Sequence, residues 1–149
     1  MAGYAKILLE ADLTAHAGLT STHGVSGSVV GTSDTQTLTN KRVNPRVTTI
    51  ASSATPTPNA NTDDYYIITA LAVAATFGAP TGTPVQGQKL IIRILDNGTA
   101  RALSWNAIYK AGTDVALPIT TVISKVLYCG FMYNSASSKW DLLATVNNI

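Results

Sequence analysis

The sequence GQKLIIRILDNGTARALSWNA, residues 87–107, contains the strongest fold signal of the chain. Two apolar runs flank the dipeptide Asn97-Gly98, an arrangement typical of a β-hairpin with a type I′ turn. The sequence therefore predicts that residues 90–96 and 99–105 pair as antiparallel strands. Their alternation gives one core face, formed by Leu90, Ile92, Ile94, Leu103 and Trp105. Because an isolated hairpin is only marginally stable, we expect further strands around it.

The composition favours strands and limits the possible partners. Hydrophobic residues make up 46% of the chain and charged residues only 12%, with Glu10 as the sole glutamate. Thr, Ser, Asn, Gly and Ala occupy the positions that Lys and Glu take in helical proteins, which favours strands and turns. The net charge of +2 is too small to indicate a nucleic-acid partner. So few charges also suggest that neighbouring subunits cover part of the surface.

Cysteine usage and hydropathy indicate a protein without disulfides or membrane insertion. Cys129 is the only cysteine, so no intrachain disulfide can form. It lies in the apolar run 126–131, where a buried, unreactive thiol is expected. The amino terminus lacks the long apolar core of a signal peptide. The longest apolar run, residues 67–77, is too short for a bilayer span of about 20 residues, so we expect a soluble, unsecreted product.

The chain divides in two at Asn44-Pro45, which is a turn signal. Residues 11–43 contain few large apolar side chains and cannot enclose a core, yet their recurring Leu and Val residues are not typical of disorder. We therefore predict an extended N-terminal arm, residues 1–45, which orders by packing against other chains. Short strand-like runs between turns over residues 46–149 predict an antiparallel β-sandwich.

Strand positions in the predicted sandwich follow from the alternation of apolar residues. Residues 46–52 and 140–146 each read as one strand, and residues 64–77 hold one long strand or two short ones. The alternating run from Thr120 to Tyr133 is the strongest of them. Its predicted core side consists of Ile123, Leu127, Cys129 and Phe131.

Five segments in a fixed order carry a family resemblance. They are HGVSGSVVGTSDTQTLTNKRV (23–43), TPTPNANTDDYYIITAL (55–71), PTGTPVQGQKLIIRILDNGTARALSWN (80–106), LPITTV (117–122) and YNSASSKWDLLA (133–144). Together they resemble virion surface proteins of tailed bacteriophages, in which a TQTLTNK segment joins an anchor to a terminal β-sandwich of the viral jelly-roll kind. The resemblance implies a homotrimer that serves as a capsid decoration, head fibre, tail fibre or receptor-binding tip.

A short arm without a long repetitive shaft favours capsid decoration over a tail-fibre tip. The contacts that anchor the arm and join the copies are then expected in one run: Leu38, Thr39, Asn40, Lys41, Arg42 and Val43. With Arg46, this run concentrates positive charge at the junction of arm and sandwich. That charge has two readings, which both stay open: a solvated turn, or an anchor on an acidic shell or a neighbouring subunit. The expected partners are further copies of the chain and phage capsid or tail proteins.

A recognition module that binds host surface glycan is the competing class of function. Its binding site would combine the end loops of the sandwich with exposed aromatic side chains. Trp105 and Trp140 alternate with aliphatic residues, so we expect them in the core. Tyr109 and Tyr133 remain as the candidate glycan contacts.

Catalysis, metals and cofactors receive no support from the sequence. Asp12, His16 and His23 match no zinc spacing. The oxygen-rich run Asn59 to Asp64 has ligands that calcium could use, but a loop that leads into a strand explains it better. No set of nucleophile, base and acid can be assigned from spacing alone. We therefore predict a non-enzymatic protein without catalytic, metal or cofactor residues.

Overall fold

The computed structural model describes residues 42–147, together with Thr35, Thr37, Thr39, Asn40 and Ile149. By its internal contacts the chain divides into two units, Met1–Arg42 and Val43–Ile149. All strands described below belong to the second unit. The predicted arm lies almost wholly outside the described residues, so its extended form stays a prediction. Within the described part, no helix is long and apolar enough to cross a membrane.

The described residues form strands and loops without a helix, which confirms the all-β prediction. Their strands are, in chain order, β1 (Val47–Ile50), β2 (Tyr65–Leu71), β3 (Ala75–Phe77), β4 (Lys89–Asp96), β5 (Leu103–Trp105), β6 (Tyr109–Lys110), β7 (Val126–Asn134) and β8 (Lys139–Val146). The run 64–77 is thus two strands. The predicted strand from Thr120 begins only at Val126, because a turn with Ser124 at φ 57° precedes it. Ile123 lies in that turn and is 56% exposed, so its predicted core position is wrong.

Six of the strands form one sheet, in the order β1-β2-β4-β7-β8-β6, and β3 and β5 form a second one. Strand β4 pairs antiparallel with β7, and β7 with β8. The other pairings, β1 with β2, β2 with β4, β6 with β8 and β3 with β5, are parallel. The prediction of a wholly antiparallel arrangement is therefore wrong. The sheet is mixed because the chain crosses to the second sheet between β2 and β4 and again between β4 and β6.

The Asn97-Gly98 hairpin is the main error of the sequence-based fold. Strand β4 lies between β2 and β7, so both of its edges are paired and residues 99–105 cannot join it. Leu103–Trp105 pairs with Ala75–Phe77 in the second sheet instead. Among these two turn residues only Gly98 has a positive φ, 89°, whereas a type I′ turn needs it at both. The predicted pairing and turn type are both wrong, although a turn does occur there.

A buried carboxylate explains why the chain leaves the sheet after β4. Asp96 is 4% exposed, and its Oδ1 accepts hydrogen bonds from the backbone N–H groups of Gly98 and Ser124, both at 3.0 Å. Its Oδ2 accepts one from the Thr121 hydroxyl at 2.8 Å. Burial by itself raises the pKa of Asp96, but these donors and the charge of Arg101 outweigh it and lower that pKa. Asp96 thus ties the turn to the loop before β7.

One hydrophobic core lies between the six-stranded sheet and the second sheet, as expected of a sandwich. Alternate residues of β2, β4 and β7 point into it, which confirms the predicted core positions of Leu90, Ile92, Ile94, Leu103, Leu127, Cys129 and Phe131. Trp105 is half-buried and stacks on Phe77, with ring centroids 4.3 Å apart. Trp140 is 1% exposed. We call the side of the six-stranded sheet that faces this core its inner face.

Candidate functional site

The opposite side of the six-stranded sheet carries apolar side chains between charged ones, and no described residue covers it. Strand register places one set of side chains there, which we call the outer face: Val47, Thr49, Tyr65, Ile67, Lys89, Ile91, Arg93, Leu95, Lys110, Val126, Tyr128, Gly130, Met132, Asn134, Lys139, Asp141, Ala144 and Val146. Ile91 is 43% and Val146 48% exposed. A sandwich that stands alone usually shows polar residues on such a face. The outer face is therefore the leading candidate for an interaction surface.

Three side chains at the centre of the outer face form a polar island. Arg93 on β4 lies between Ile67 and Tyr128 across the strands. Burial raises the pKa of Tyr65, and a hydrogen bond with Tyr128 raises it further, while the nearby charge of Arg93 lowers it. Among the described residues, no carboxylate pairs with Arg93. Arginine and tyrosine are both enriched at protein interfaces.

The point where residues 1–45 join the sandwich is fixed by a single arginine. Arg46 precedes β1, and its backbone N–H and its Nε both donate to Asp64 Oδ2, at 2.9 and 3.0 Å. Its Nη1 donates to the carbonyl of Asn61 at 2.6 Å, and Nη2 completes the ion pair with Asp64. The hydrogen bonds from Arg46 hold the pKa of Asp64 below its ordinary value. These bonds hold Arg46 against the loop that precedes β2.

A shallow groove of about 840 Å³ lies beside Arg46. Three segments line it, residues 43–46, 60–64 and 83–89, and Val43 and Val85 at its rim are 84% and 64% exposed. Gln88 holds its walls together, because its amide nitrogen donates to the carbonyl of Ala60 at 2.7 Å. The groove combines apolar rim residues with the Arg46–Asp64 pair. It is a second, smaller candidate surface.

The oxygen-rich run Asn59 to Asp64 is a structured loop, as the sequence predicted. Asn59 Oδ1 accepts from the N–H of Asn61, and Asn61 Oδ1 accepts from the N–H of Thr83, both at 2.9 Å. Asp63 is 2% exposed and accepts from the Asn59 N–H and from two threonine hydroxyls. These oxygens therefore serve the loop itself. Within the described residues, no three His, Cys, Asp or Glu side chains group as metal ligands.

The predicted anchoring run is only partly within the described residues. Leu38 and Lys41 lie outside them, and so do Asp12, His16 and His23. Thr39, Asn40, Arg42 and Val43 are all exposed. Their role in anchoring and in joining copies stays a prediction.

The structure does not support Tyr109 as a glycan contact. Tyr109 is 3% exposed, its ring packs 5.1 Å from that of Phe131, and its hydroxyl donates to the carbonyl of Gly78. Burial raises its pKa. The sequence made it a candidate for an exposed aromatic side chain, whereas strand β6 turns it into the core. A buried ring offers no face for a sugar.

Tyr133 and Cys129 also belong to the core side of the sheet. Tyr133 is half-buried and packs against Trp140, with ring centroids 5.3 Å apart. Cys129 is fully buried, as predicted, and burial raises its pKa to about 12. A thiol with so high a pKa stays protonated at neutral pH and is a poor nucleophile.

Sequence reasoning missed Tyr65 and Arg93, the residues that mark the outer face. The signal was present in the sequence, because YYIITAL and KLIIRILD are apolar at nearly every position rather than at alternate ones. Such continuous runs are typical of strands that are buried on both faces. The predicted alternation assigned only the core face of each strand, so the outer face was not identified as a surface.

Comparison of the chain with family models, with curated proteins and with solved structures gives no match.

Proposed function

We propose that this chain is a non-enzymatic structural protein of a tailed-phage virion, a capsid decoration in which residues 1–45 anchor an outward-facing β-sandwich. The hydrogen bonds that Arg46 donates to Asn61 and Asp64 are the observation on which this proposal rests. They fix the backbone at the boundary between the predicted arm and the predicted sandwich. An anchored arm would then be joined to the sandwich at a backbone position that these bonds hold in place.

Two further features support a structural role in an assembly of several copies, which we propose to be a homotrimer. The outer face, which no described residue covers, carries apolar side chains on several strands, and the whole chain has only 12% charged residues. Both are expected of a subunit rather than of an isolated monomer. We propose the sandwich without the jelly-roll strand order, because the parallel pairings of β1, β2 and β4 depart from that antiparallel pattern.

Co-sedimentation tests the anchor directly. The full chain and the fragment Val43–Ile149, which is a compact unit with its own core, are each mixed with particles stripped of this protein and, separately, with host envelopes. We expect the full chain to bind particles and the fragment to lose that binding. The buried Trp140 reports through its fluorescence that the fragment is folded.

A recognition tip gives the opposite pattern. In that function the fragment keeps its binding to host envelopes, weakened only by lost avidity, and the arm is not needed. Full binding of the fragment to stripped particles would refute the anchor. Clear binding of the fragment to envelopes would favour the tail-fibre alternative, in which the sandwich contacts host glycan.

A further inference from the structure

We propose that Asn97 is a self-modification site, at which the backbone nitrogen of Gly98 closes a succinimide ring on the Asn97 side chain and water opens that ring to an acid. The sequence contains no other Asn-Gly dipeptide. Both residues are exposed in the turn that follows β4. The substrate is thus the chain itself, and the co-reactant is water.

Gly98 gives the reacting nitrogen an open approach. The nitrogen that closes the ring belongs to the residue after the asparagine, where a side chain hinders the closure. Gly98 has no side chain, and even a Cβ at this position would meet nothing within 4 Å. The asparagines of the other described turns are followed by residues that carry a side chain: Ala60, Thr62, Ala107 and Ser135.

The N–H group of Gly98 is held by an ionised carboxylate. It donates to Asp96 Oδ1 at 3.0 Å, and because the pKa of Asp96 is lowered, this acceptor is charged at neutral pH. A hydrogen bond to a charged acceptor draws the proton away from the nitrogen and increases the electron density there. The nitrogen attacks perpendicular to the peptide plane, whereas its N–H bond lies in that plane. The bond to Asp96 therefore leaves the attacking orbital free.

Arg101 acts on the other reacting group. Its Nη2 donates at 2.9 Å to Asn97 Oδ1, the oxygen that becomes negative when the nitrogen adds to Cγ. A guanidinium at this oxygen withdraws electron density from Cγ and stabilises the developing charge. The side-chain oxygens of four other asparagines accept from neutral backbone N–H groups instead: Asn59, Asn61, Asn106 and Asn134.

The atoms and charges balance over two steps. In the first step, the bond from Gly98 N to Asn97 Cγ forms and the bond from Cγ to Nδ2 breaks. The amide proton leaves Gly98 along its hydrogen bond to Asp96, and Nδ2 takes up a proton and departs as ammonia. In the second step, water adds to one ring carbonyl and the ring nitrogen takes back a proton. The product is aspartate or isoaspartate, and no oxidant or reductant is needed.

Arg101 also fits the product better than it fits asparagine. Its Nε is covered and has no acceptor, although Nη2 of the same side chain contacts Asn97. These two nitrogens lie on one edge of the guanidinium, which matches the two oxygens of a carboxylate. The amide of Asn97 has only one acceptor oxygen, because its other terminal atom is a donor. An acid at this position offers an acceptor to both nitrogens.

Peptide mass spectrometry of the full chain over time measures the reaction. The chain is kept at neutral pH, either folded in buffer or unfolded in urea, and Asn106, which precedes Ala107, serves as the internal reference. We expect Asn97 to convert about tenfold faster in the folded chain, because folding holds Asp96 and Arg101 against the reacting groups. Isoaspartate beside aspartate identifies the ring, since direct hydrolysis gives aspartate alone.

Substitutions of Arg101 test the role of the cation. Arg101→Gln should slow the conversion in the folded chain about tenfold and leave the rate in the unfolded chain unchanged. Arg101→Lys keeps the charge and should recover part of the rate. Lys110→Gln removes a positive charge on β6 and should convert at the wild-type rate. Circular dichroism checks that each variant keeps its strands.

The variant Asn97→Asp tests the fit of the product. A carboxylate that pairs with both nitrogens of Arg101 should raise the melting temperature by a few degrees. The same substitution in the Arg101→Gln background should give no such gain.

A folded chain that converts Asn97 no faster than the unfolded chain would overturn the inference, and so would an Arg101→Gln variant as fast as the wild type. In either case, the folded turn would add nothing to the reactivity of the dipeptide. An Asn97→Asp variant that melts at or below the wild-type temperature would refute the pairing of the product with Arg101.

Discussion

Ile91 and Ile92 are adjacent on β4 and chemically identical, but they lie in different surroundings. Ile92 is fully buried on the inner face, between Tyr66 and Cys129, whereas Ile91 is 43% exposed on the outer face. The described residues thus account for the apolar character of one face and not of the other. The sheet therefore has one face that packs into the core of the chain and one face that no described residue covers.

The largest expected difference in stability is between alanine substitutions at Ile92 and at Ile91. Ile92→Ala leaves a cavity in the packed core and should lower the free energy of unfolding by about 2–5 kcal/mol. Ile91→Ala shortens a side chain that is 43% exposed, and should lower this free energy by only about 1 kcal/mol. Urea unfolding at the lowest workable protein concentration measures both. Equal costs would mean that the outer face is covered within a single chain.

Two carboxylates give the next comparison. Asp96→Asn leaves buried donors without a full set of acceptors and should lower the free energy of unfolding by about 3 kcal/mol, whereas Asp141→Asn, at a half-buried position, should lower it by about 1 kcal/mol or less. Because the pKa of Asp96 is lowered in the folded state, its stabilisation is complete above the ordinary aspartate pKa and is lost as the pH falls through the folded value.

The pH dependence of the Asp96 effect is measurable by comparing wild type and Asp96→Asn. Urea midpoints should differ most near neutral pH and converge as the pH falls below the ordinary pKa of about 4. A difference that grows on acidification would show that Asp96 is protonated in the folded protein. The hydrogen bonds from Gly98, Thr121 and Ser124 would then need another explanation.

Two glycines with positive φ give the smallest effects. Gly82 (φ 80°) leaves no room for a Cβ, which would lie 2.6 Å from Asn59 Oδ1, whereas Gly98 (φ 89°) has nothing within 4 Å. Gly98→Ala should lower the free energy of unfolding by about 1 kcal/mol from backbone strain alone. Gly82→Ala should lower it by about 1–2 kcal/mol more than Gly98→Ala does, because the loop must shift. Thermal unfolding compares them. Equal losses of stability in the two variants would mean that the loop around Asn59 moves to admit the Cβ without strain.

The sequence predicted which side chains of a strand point into the core better than it predicted which strands pair. Alternation correctly identified the inner-face residues from Leu90 to Ile94 and from Leu127 to Phe131, because burial on one face follows directly from a period of two. The Asn97-Gly98 turn was correctly located, but local turn chemistry does not specify which strands pair. That pairing depends on Asp96, whose partners Thr121 and Ser124 are 25 and 28 residues away in the chain.

The candidate surfaces were harder to predict because they also depend on which strands lie side by side. The low charge of the sequence suggested that neighbouring subunits cover part of the surface, but it did not indicate which part. The outer face exists only because β2, β4, β7 and β8 lie side by side. Tyr109 shows the reverse case. Its aromatic ring and nearby turn suggested exposure, and only the pairing of β6 with β8 reveals that it packs against Phe131.

Imaging of intact phage particles that contain this chain tests the central claim most directly. We expect density for the sandwich on the outside of the capsid, with residues 1–45 directed towards the shell. We also expect neighbouring copies to contact each other. Density for the same unit at the tip of the tail, with the outer face exposed to solvent, would contradict it.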